Sequence, residues 1–358
     1  MWTVNVAAPQ NSISLAAIRY LLMRTALLVG AGFSRWAANI PVASELFDFG
    51  IAIWPGDLSR LSLLFTEKQL WDISHPEGAA EVFIADVLGS GSGAAREALL
   101  WYIGRRLTEP LIRFERSFRR ERRRTLAIGE PFAAKLPGVR NARQYLSALR
   151  AEGDLVGVVT TNYDLLIEYA LGPKGFFYGQ KGETLEGYRS PFRKAPVTLS
   201  GDILLAKLHG SLSWDDRRKY SDARRAITGR ALIVAPTPEK VPPRSLAEIW
   251  KSAARIVTDA ERLIVFGFSF NPYDAAVLSV LRDAGAGLTQ VEVVDLVSRR
   301  TSAAELWPTA EIRERQPPDR VTEPSPVPDF NTSFEAARAA CSAARSTIDE
   351  AQVTLFDT

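Results

Sequence analysis

Short apolar runs that end at a glycine or a polar residue recur along this chain. Runs of this length, bounded by turn residues, are typical of buried strands. Many of the stretches between them carry apolar residues at helical spacing, which predicts strand–loop–helix units and a parallel sheet covered on both faces. The first predicted strand ends at Val29, and the others cover residues 155–161, 203–208, 231–236, 262–267 and 291–295.

The predicted fold class is α/β, with a Rossmann-like, mostly parallel sheet, helices on both faces and an all-helical insertion or cap. The insertion is expected because residues 55–150 are rich in Leu, Ala, Arg and Glu at helical spacing, with helices at 79–88, 94–107 and 142–151. The predicted domains are 1–54 with 151–310 for the sheet, 55–150 for the insertion, and 311–358 for a proline-rich linker and a C-terminal helix.

Four segments outside the predicted strands carry further expectations. A helix is expected over residues 12–24, and Ser44 is a plausible N-cap for another that runs to about Trp54. The basic run 113–124 is predicted to be a solvated helix face, with contact to a partner protein or nucleic acid as the alternative. An Ala-rich helix over 331–352 would lie on the body or serve in assembly.

The composition is that of an ordinary globular protein, with 46% hydrophobic and 24% charged residues and a net charge of +3. The single cysteine is Cys341 and the two histidines are His75 and His209, which argues against disulfides and against a cysteine or histidine metal site. No apolar run of about 18 residues and no signal-peptide pattern occurs, which predicts a soluble, cytoplasmic protein without membrane contact.

The first predicted strand ends in Gly30-Ala31-Gly32, followed by Phe33 and Ser34. A Gly-x-Gly turn between a strand and a helix lets the backbone approach a ligand closely, and the helix N-terminus favours phosphate. The third glycine of the usual dinucleotide fingerprint is missing, since position 35 is Arg. A nucleotide site and an ordinary tight turn therefore both remain open on this motif alone.

Polar residues follow four other predicted strands. Asn162, in Thr160-Thr161-Asn162-Tyr163-Asp164, could hold a hydroxyl or a water, whereas the alternative is an Asx turn with Asp164 as N-cap. His209 follows the strand 203–208 and is a candidate general base, although a lone histidine is more often structural. Other candidates for a ribose or phosphate are Gly267, Ser269 and Asp295, and each also fits a simple turn.

Taken together, the segments GAGFS, TTNYD, KLHGSLSW and GFSFNPYD, in this order, resemble the bacterial sirtuin-like domain family. The resemblance covers about residues 20–300, with 55–150 as a divergent insertion. It implies that Asn162 positions the nicotinamide ribose and the attacking water, and that His209 acts as general base. The residues that it places against NAD are Gly30, Ala31, Gly32, Ser34, Thr161, Asp164, Gly267, Ser269 and Asp295.

Two departures from sirtuins proper affect the implied function. Asn39-Ile40-Pro41 stands where sirtuins usually have Gly-x-Pro, and the zinc-binding Cys-x-x-Cys pairs are absent. Trp214 and the helical insertion resemble the zinc-less branch, which is associated with NAD hydrolysis in bacterial anti-phage defence. The resemblance thus implies an NAD+ hydrolase that takes NAD as substrate and carries no zinc.

Alternatives to hydrolysis remain open on the sequence. The same motifs fit a non-catalytic NAD or ADP-ribose sensor, and also an NAD-dependent deacylase or ADP-ribosyltransferase. Because an unregulated NAD hydrolase would kill its host, the implied partners are further copies of this chain or a defence protein such as a short Argonaute or a DNA-translocase ATPase. Direct contact with nucleic acid is left open.

Overall fold

The computed structural model describes residues 23–47, 57–76, 78–111, 113–117, 120–124, 127–186, 196–235 and 244–323. In chain order the strands are β1 (Arg24–Val29), β2 (Arg113–Ser117), β3 (Arg120–Arg124), β4 (Asp154–Thr160), β5 (Phe176–Phe177), β6 (Thr184–Leu185), β7 (Val197–Thr198), β8 (Ile203–Lys207), β9 (Gly210–Ser211), β10 (Leu232–Ile233), β11 (Arg262–Phe266), β12 (Gln290–Val294) and β13 (Glu311–Arg315).

The α-helices surround the sheet and build the insertion. In chain order they are α1 (Ala31–Ala38), α2 (Leu58–Ser74), α3 (Ala80–Ser90), α4 (Gly93–Thr108), α5 (Pro137–Glu152), α6 (Leu166–Leu171), α7 (Arg224–Ile227), α8 (Ala247–Thr258), α9 (Ala275–Ala284) and α10 (Arg300–Leu306). Helices α3, α4 and α5 confirm the three helices that the periodicity predicts for the insertion.

The main sheet contains seven strands in the order β13-β12-β11-β1-β4-β8-β5, and every pairing in it is parallel. The central strand β1 is apolar, and Ala26 to Val29 are completely buried. A strand without an exposed side must be covered on both faces, as parallel sheets require. The predicted Rossmann-like architecture is confirmed.

Helix α8 shows how the sequence pattern produces this packing. Its buried residues recur at helical spacing, and the helix lies against β4 and β8. Gly157 in β4 makes room for it, because a Cβ there would approach Ile256 to 2.6 Å. On another helix, α5, a buried face at the same kind of spacing packs against α1, α6 and β4.

Three expectations about the strands need correction. The run 231–236 does not join the main sheet, since β10 pairs antiparallel with β9, which directly follows His209. The main sheet instead gains β5 and β13, which the sequence pattern assigns to loop and linker. The expected helix 12–24 ends too late, because Arg24 already belongs to β1, and its first residues lie outside the described part of the chain.

The basic run is also different from the prediction. Residues 113–117 and 120–124 form the antiparallel pair β2–β3 rather than a helix face, with Glu115 opposite Arg122 and Arg116 opposite Glu121. A charge alternation of this kind fits a strand's two-residue period as well as a helix face, so composition could not separate the two. Ser44 lies inside a 3₁₀ turn, Ala43–Glu45, rather than before a helix, and most of the predicted continuation to Trp54 lies outside the described residues.

After β13 the chain crosses α1 and α5. The Trp36 indole donates to the Pro318 carbonyl at 2.9 Å, and Asn141 exchanges hydrogen bonds with the Thr322 backbone at 2.8 and 3.0 Å. The first part of the predicted linker is therefore attached to the body. The helix expected over 331–352 lies outside the described residues.

Within the described part of the chain, no helix has the length and apolar character needed to cross a membrane.

Candidate functional site

The turns that follow β1 and β11 pack directly against each other; we call Gly30, Gly32 and Gly267 the glycine turns. The Gly30 amide donates to Phe266 O at 3.0 Å, and the Gly32 amide donates to Gly267 O at 2.9 Å. A Cβ on Gly30 would lie 2.4 Å from Gly267 O, and Gly267 itself has φ +61°. These three glycines are therefore required by contact between two main chains.

This geometry restricts what the glycine turns offer a ligand. Two of the amides that a phosphate could use are already bonded within the protein, so the exposed part of the turn is Ala31 at the start of α1. Ser34, predicted to contact pyrophosphate, is 2% exposed and points into the protein. Gly30 and Gly32 thus form a tight turn against a neighbouring main chain, and Ala31 is exposed between them.

Ser34 connects the glycine turn to the loop after β4. Its hydroxyl donates to Asp164 Oδ2 at 2.8 Å and accepts from Asn162 Nδ2 at 3.0 Å. Asn162 Nδ2 also donates to Gly30 O at 2.9 Å, which fixes the orientation of the amide. Asp164 Oδ1 accepts from the Leu166 amide at 2.9 Å, so the Asx turn expected at the start of α6 is present as well.

A buried ion pair, Lys207–Glu168, contacts the loop that follows β4. Lys207, the last residue of β8, donates to the Asp164 carbonyl and, at 2.8 Å, to Glu168 Oε1, which also accepts from Tyr178 OH. Burial raises the pKa of Glu168, and Lys207 opposes that rise. We refer to Ser34, Asn162, Asp164, Glu168 and Lys207 as the polar network. Sequence reasoning missed Lys207 and Glu168, although a lysine inside an apolar strand was a signal.

His209 lies beside this network, two residues beyond β8. It is 2% exposed, and its ring centroid lies 6.1 Å from that of Tyr163, the residue after Asn162. Its Nε2 lies 3.1 Å from Oδ1 of Asp274, which is 5% exposed. The mutual orientation of these two atoms departs from that of a linear hydrogen bond. We refer to these residues as the His209–Asp274 pair.

The Tyr163 ring lies beside the His209 ring. Its hydroxyl donates to Val234 O at 3.1 Å. Burial, followed by the nearby carboxylates of Asp274 and Glu81, raises the pKa of the phenol, so Tyr163 stays protonated. Residues from β4, β8 and the segment after β11 thus meet around one imidazole.

The remaining predicted residues lie at strand ends of the same sheet edge. The Thr161 amide donates to Val29 O at 3.2 Å, and Ser269 is exposed after Gly267. Asp295 is half-buried after β12, which lies two strands away from β1, and its Oδ1 accepts from the Val297 amide at 3.2 Å. The structure brings the β1, β4 and β11 turns into contact, whereas Asp295 makes none of those contacts.

A cavity of about 360 Å³ lies elsewhere, and none of the predicted site residues lines it. Its walls combine Trp214 and apolar residues of β10 and α8 with the charged loop 215–219. Most of these charges are already paired, as in Arg218–Glu186 at 2.9 Å and Lys219–Glu183 at 2.7 Å. Among the described residues no group of three or more His, Cys, Asp or Glu is placed to hold a metal ion.

Comparison with known proteins connects this geometry to one domain family. Residues 156–291 match the model of the SIR2-like domain, and this stretch runs from β4 into β12 and includes Asn162, His209 and Asp274. The match confirms the sirtuin-like resemblance over those residues. No curated protein matches the sequence significantly.

Among solved structures, the chain is similar to several Sir2 proteins at low sequence identity. A Sir2 homologue in complex with NAD is 16% identical, with 89% of this chain and 90% of that chain covered and a TM-score of 0.38. A structure of Sir2Tm bound to a propionylated peptide is 17% identical, with coverage of 81% and 86% and a TM-score of 0.36. A Sir2 structure described for enzyme mechanism and regulation is 14% identical, with coverage of 92% and 97% and a TM-score of 0.39.

Proposed function

We propose that this protein is an NAD+ hydrolase that cleaves the bond between nicotinamide and ribose. The observation that carries the proposal is the meeting of a fixed amide, Asn162, and a buried imidazole, His209, at the carboxyl ends of neighbouring parallel strands, where α/β sheets bind ligands. The match of this stretch to the SIR2-like domain adds support.

Each residue has a definite task in the proposed reaction. Because Asn162 Nδ2 is held by Gly30 O and Ser34 Oγ, its Oδ1 would accept a hydrogen bond from a ribose hydroxyl or the attacking water. His209 would take the proton that this water loses. The water oxygen bonds to the ribose carbon, and nicotinamide leaves with the electron pair of the broken bond, so the products are nicotinamide, ADP-ribose and a proton.

The proposed placement of NAD follows the strand ends. The pyrophosphate would lie over Ala31 and Gly32 at the start of α1, with Gly30 and Ser34 shaping that turn from behind. Thr161 and Asp164 would border the nicotinamide ribose. The adenosine half would extend over Gly267 and Ser269 towards Asp295.

The test measures nicotinamide released from NAD+ by the purified full-length chain, alone and with extracts of phage-infected cells. We expect release by the wild type and a loss of at least about 100-fold in Asn162→Ala and in His209→Ala. His75→Ala is the matched control, because His75 is exposed and stacks on Trp71 within its own helical region. Nicotinamide release that survives in His209→Ala, or no nicotinamide release by the wild type under either condition, would overturn the proposal.

The burial of His209 favours a second candidate, a sensor that binds NAD or ADP-ribose without turnover. An imidazole that is 2% exposed needs an opening before substrate reaches it. Tight NAD+ binding without release, unchanged in His209→Ala, would support this candidate. Release that depends strictly on an acylated peptide or an acceptor protein would instead indicate a deacylase or an ADP-ribosyltransferase.

We further propose that the hydrolase is a regulated, zinc-less effector of bacterial anti-phage defence, acting by NAD+ depletion as an oligomer or with a defence partner. The proposal rests on the sequence resemblance. In bacteria that carry the gene, cellular NAD+ should fall after phage infection with the wild type and stay level with Asn162→Ala. Equal NAD+ levels in both strains would contradict it.

A further inference from the structure

Asp274 places a carboxylate beside the ring of His209 on its Nε2 side. Both Nε2 and Oδ1 are shielded from solvent, and they lie 3.1 Å apart. A carboxylate at this distance from a buried imidazole interacts strongly with its charged form, since little water is present to screen the pair.

The segment that carries Asp274 is built to hold it in place. Asp274 ends a 3₁₀ turn, Pro272–Asp274, whose first residues are capped by Asn271 Oδ1 through the Tyr273 amide at 3.0 Å. Phe270, just before the cap, adopts φ +54°, a conformation that a bulky residue rarely takes. Backbone strain of this kind persists where the surroundings fix the chain, often at functional sites.

A second contact fixes the turn from outside the sheet. Asn271 Nδ2 donates to Glu81 Oε1 of α3 at 3.1 Å. The titratable groups placed next to the imidazole are Asp274, from the turn after β11, and Tyr163, from the loop after β4. Glu81 of α3 lies near Tyr163, whose pKa is raised by burial and by the neighbouring carboxylates. Of these, Asp274 lies at ion-pair distance from the ring.

We infer that Asp274 is the positioning residue for His209, and that its carboxylate selects the ring tautomer and stabilises the imidazolium formed during the reaction. At 3.1 Å the negative carboxylate favours a proton on Nε2 through its charge rather than through a linear hydrogen bond, which leaves the lone pair on Nδ1 as the base. The inference rests on the proposed function, because the proton that Nδ1 takes is the one lost by the attacking water.

The tautomer can be measured directly because the chain has only 2 histidines. In a His75→Gln background, ¹⁵N-histidine labelling leaves His209 as the single imidazole, and two-bond ¹⁵N–¹H correlations report which nitrogen carries the proton. We expect the Nε2–H form in the full-length chain. In Asp274→Asn, which keeps the side-chain shape, the amide can donate to Nε2, and we expect the proton to move to Nδ1.

Kinetics provide the second readout. We expect Asp274→Asn to lower kcat for nicotinamide release by about 100-fold or more, with KM changed less than about threefold, since a wrong tautomer affects the chemical step and not binding. Asp283→Asn is the matched control: it makes the same change at an exposed carboxylate of α9, the helix that follows Asp274, and it should leave kcat within about threefold. Thermal unfolding of both variants verifies that the fold is kept.

The two readouts separate the two proposals. If the wild type releases no nicotinamide, the proposed function fails, while the tautomer measurement still decides the role of Asp274. An Nδ1–H form in the wild-type chain, or a tautomer and kcat that Asp274→Asn leaves unchanged, would overturn the inference. A kcat loss in Asp274→Asn that is matched by Asp283→Asn would likewise overturn it, because a general structural effect would then explain both.

Discussion

The glycine turns and the polar network meet at the same edge of the sheet, but they are held together by different parts of the chain. In the glycine turns, main-chain atoms of Gly30, Gly32 and Gly267 touch each other, and no side chain could be added without moving the backbone. In the polar network, the side chains of Lys207 in β8 and Ser34 in α1 reach the loop after β4, and Ser34 helps to fix the Asn162 amide.

This difference shows that a sequence motif can be required for the fold without indicating which ligand the protein binds. Gly-x-Gly is typical of nucleotide sites, yet here its amides bond to the neighbouring turn. In the proposed function, the side chains that determine the chemistry are instead those of Asn162 and His209. Substitutions in the glycine turns should therefore reduce stability, and substitutions in the polar network should also reduce activity in the protein that remains folded.

The largest effect is expected for Gly267→Ala. Its Cβ would lie 2.4 Å from the Phe33 nitrogen, and φ +61° disfavours alanine, so clash and strain together should cost about 3–6 kcal/mol in the free energy of unfolding. Chemical denaturation measures this loss. Gly179→Ala is the control, because a Cβ there meets nothing within 4 Å, and it should change stability by less than about 1 kcal/mol. A fully stable Gly267→Ala would refute the main-chain packing described above.

The second largest effect is expected for Lys207→Met. It should lower the free energy of unfolding by about 3–5 kcal/mol, since it leaves Glu168 buried without its cation. The loss should grow with pH. Without Lys207, burial raises the pKa of Glu168 further, so the stability present while the carboxyl is protonated is lost as the pH rises through that higher pKa.

Denaturation curves at pH 5 and pH 8 test the direction of this pH dependence. The free energy of unfolding of Lys207→Met should fall further below that of the wild type at pH 8 than at pH 5. Lys219→Met is the control, because the Lys219–Glu183 pair is partly exposed and should contribute less than about 1 kcal/mol. A loss that is the same at both pH values would show that Glu168 is not the group left unpaired.

Ser34→Ala should have a moderate effect. It removes the donor to Asp164 Oδ2 and the acceptor for Asn162 Nδ2, which should cost about 1–3 kcal/mol. Because the Asn162 amide then loses one of its two anchors, nicotinamide release should fall more than the folded fraction does. Release per folded molecule that equals the wild type would show that the Gly30 carbonyl alone holds the amide.

The smallest effect on stability is expected for Ser269→Ala, because the side chain is exposed. The free energy of unfolding should stay within about 0.5 kcal/mol of the wild type. If Ser269 borders the adenosine half of NAD, the Kd for NAD+ measured by calorimetry should rise several-fold. An unchanged Kd would remove Ser269 from the proposed binding surface.

The sequence pattern was sufficient to predict the central strands of the main sheet, but it was insufficient to predict the edge strands. β1, β4, β8, β11 and β12 are apolar runs that end at turn residues, so length and composition predict them. β13 has charged residues at four of its five positions and buries only Ile312, and β5 has two residues, so neither carries a pattern of its own. The apolar run at β10 looks like a central strand, but local sequence does not specify the partner with which a strand pairs.

The candidate site also contains residues that the sequence could predict and residues that it could not. Asn162 and His209 could be proposed because each follows a predicted strand, and parallel strands bring their carboxyl ends together. Asp274 could not, since its contact with His209 depends on how the chain turns at Phe270 and Asn271. The inward orientation of Ser34 also depends on Asp164, 130 residues further along the chain.

The central place of β1 also affects how this protein emerges from the ribosome. β1 is made early, whereas its neighbour β11 comes much later: Arg24 contacts Glu261, 237 residues further on. At about 5–20 residues per second, translation leaves the nascent strand without that partner for roughly 12–50 s. Throughout this interval an apolar edge is open to pairing with other nascent chains, so the yield of folded protein in cells should depend on chaperones that cover β1 during synthesis.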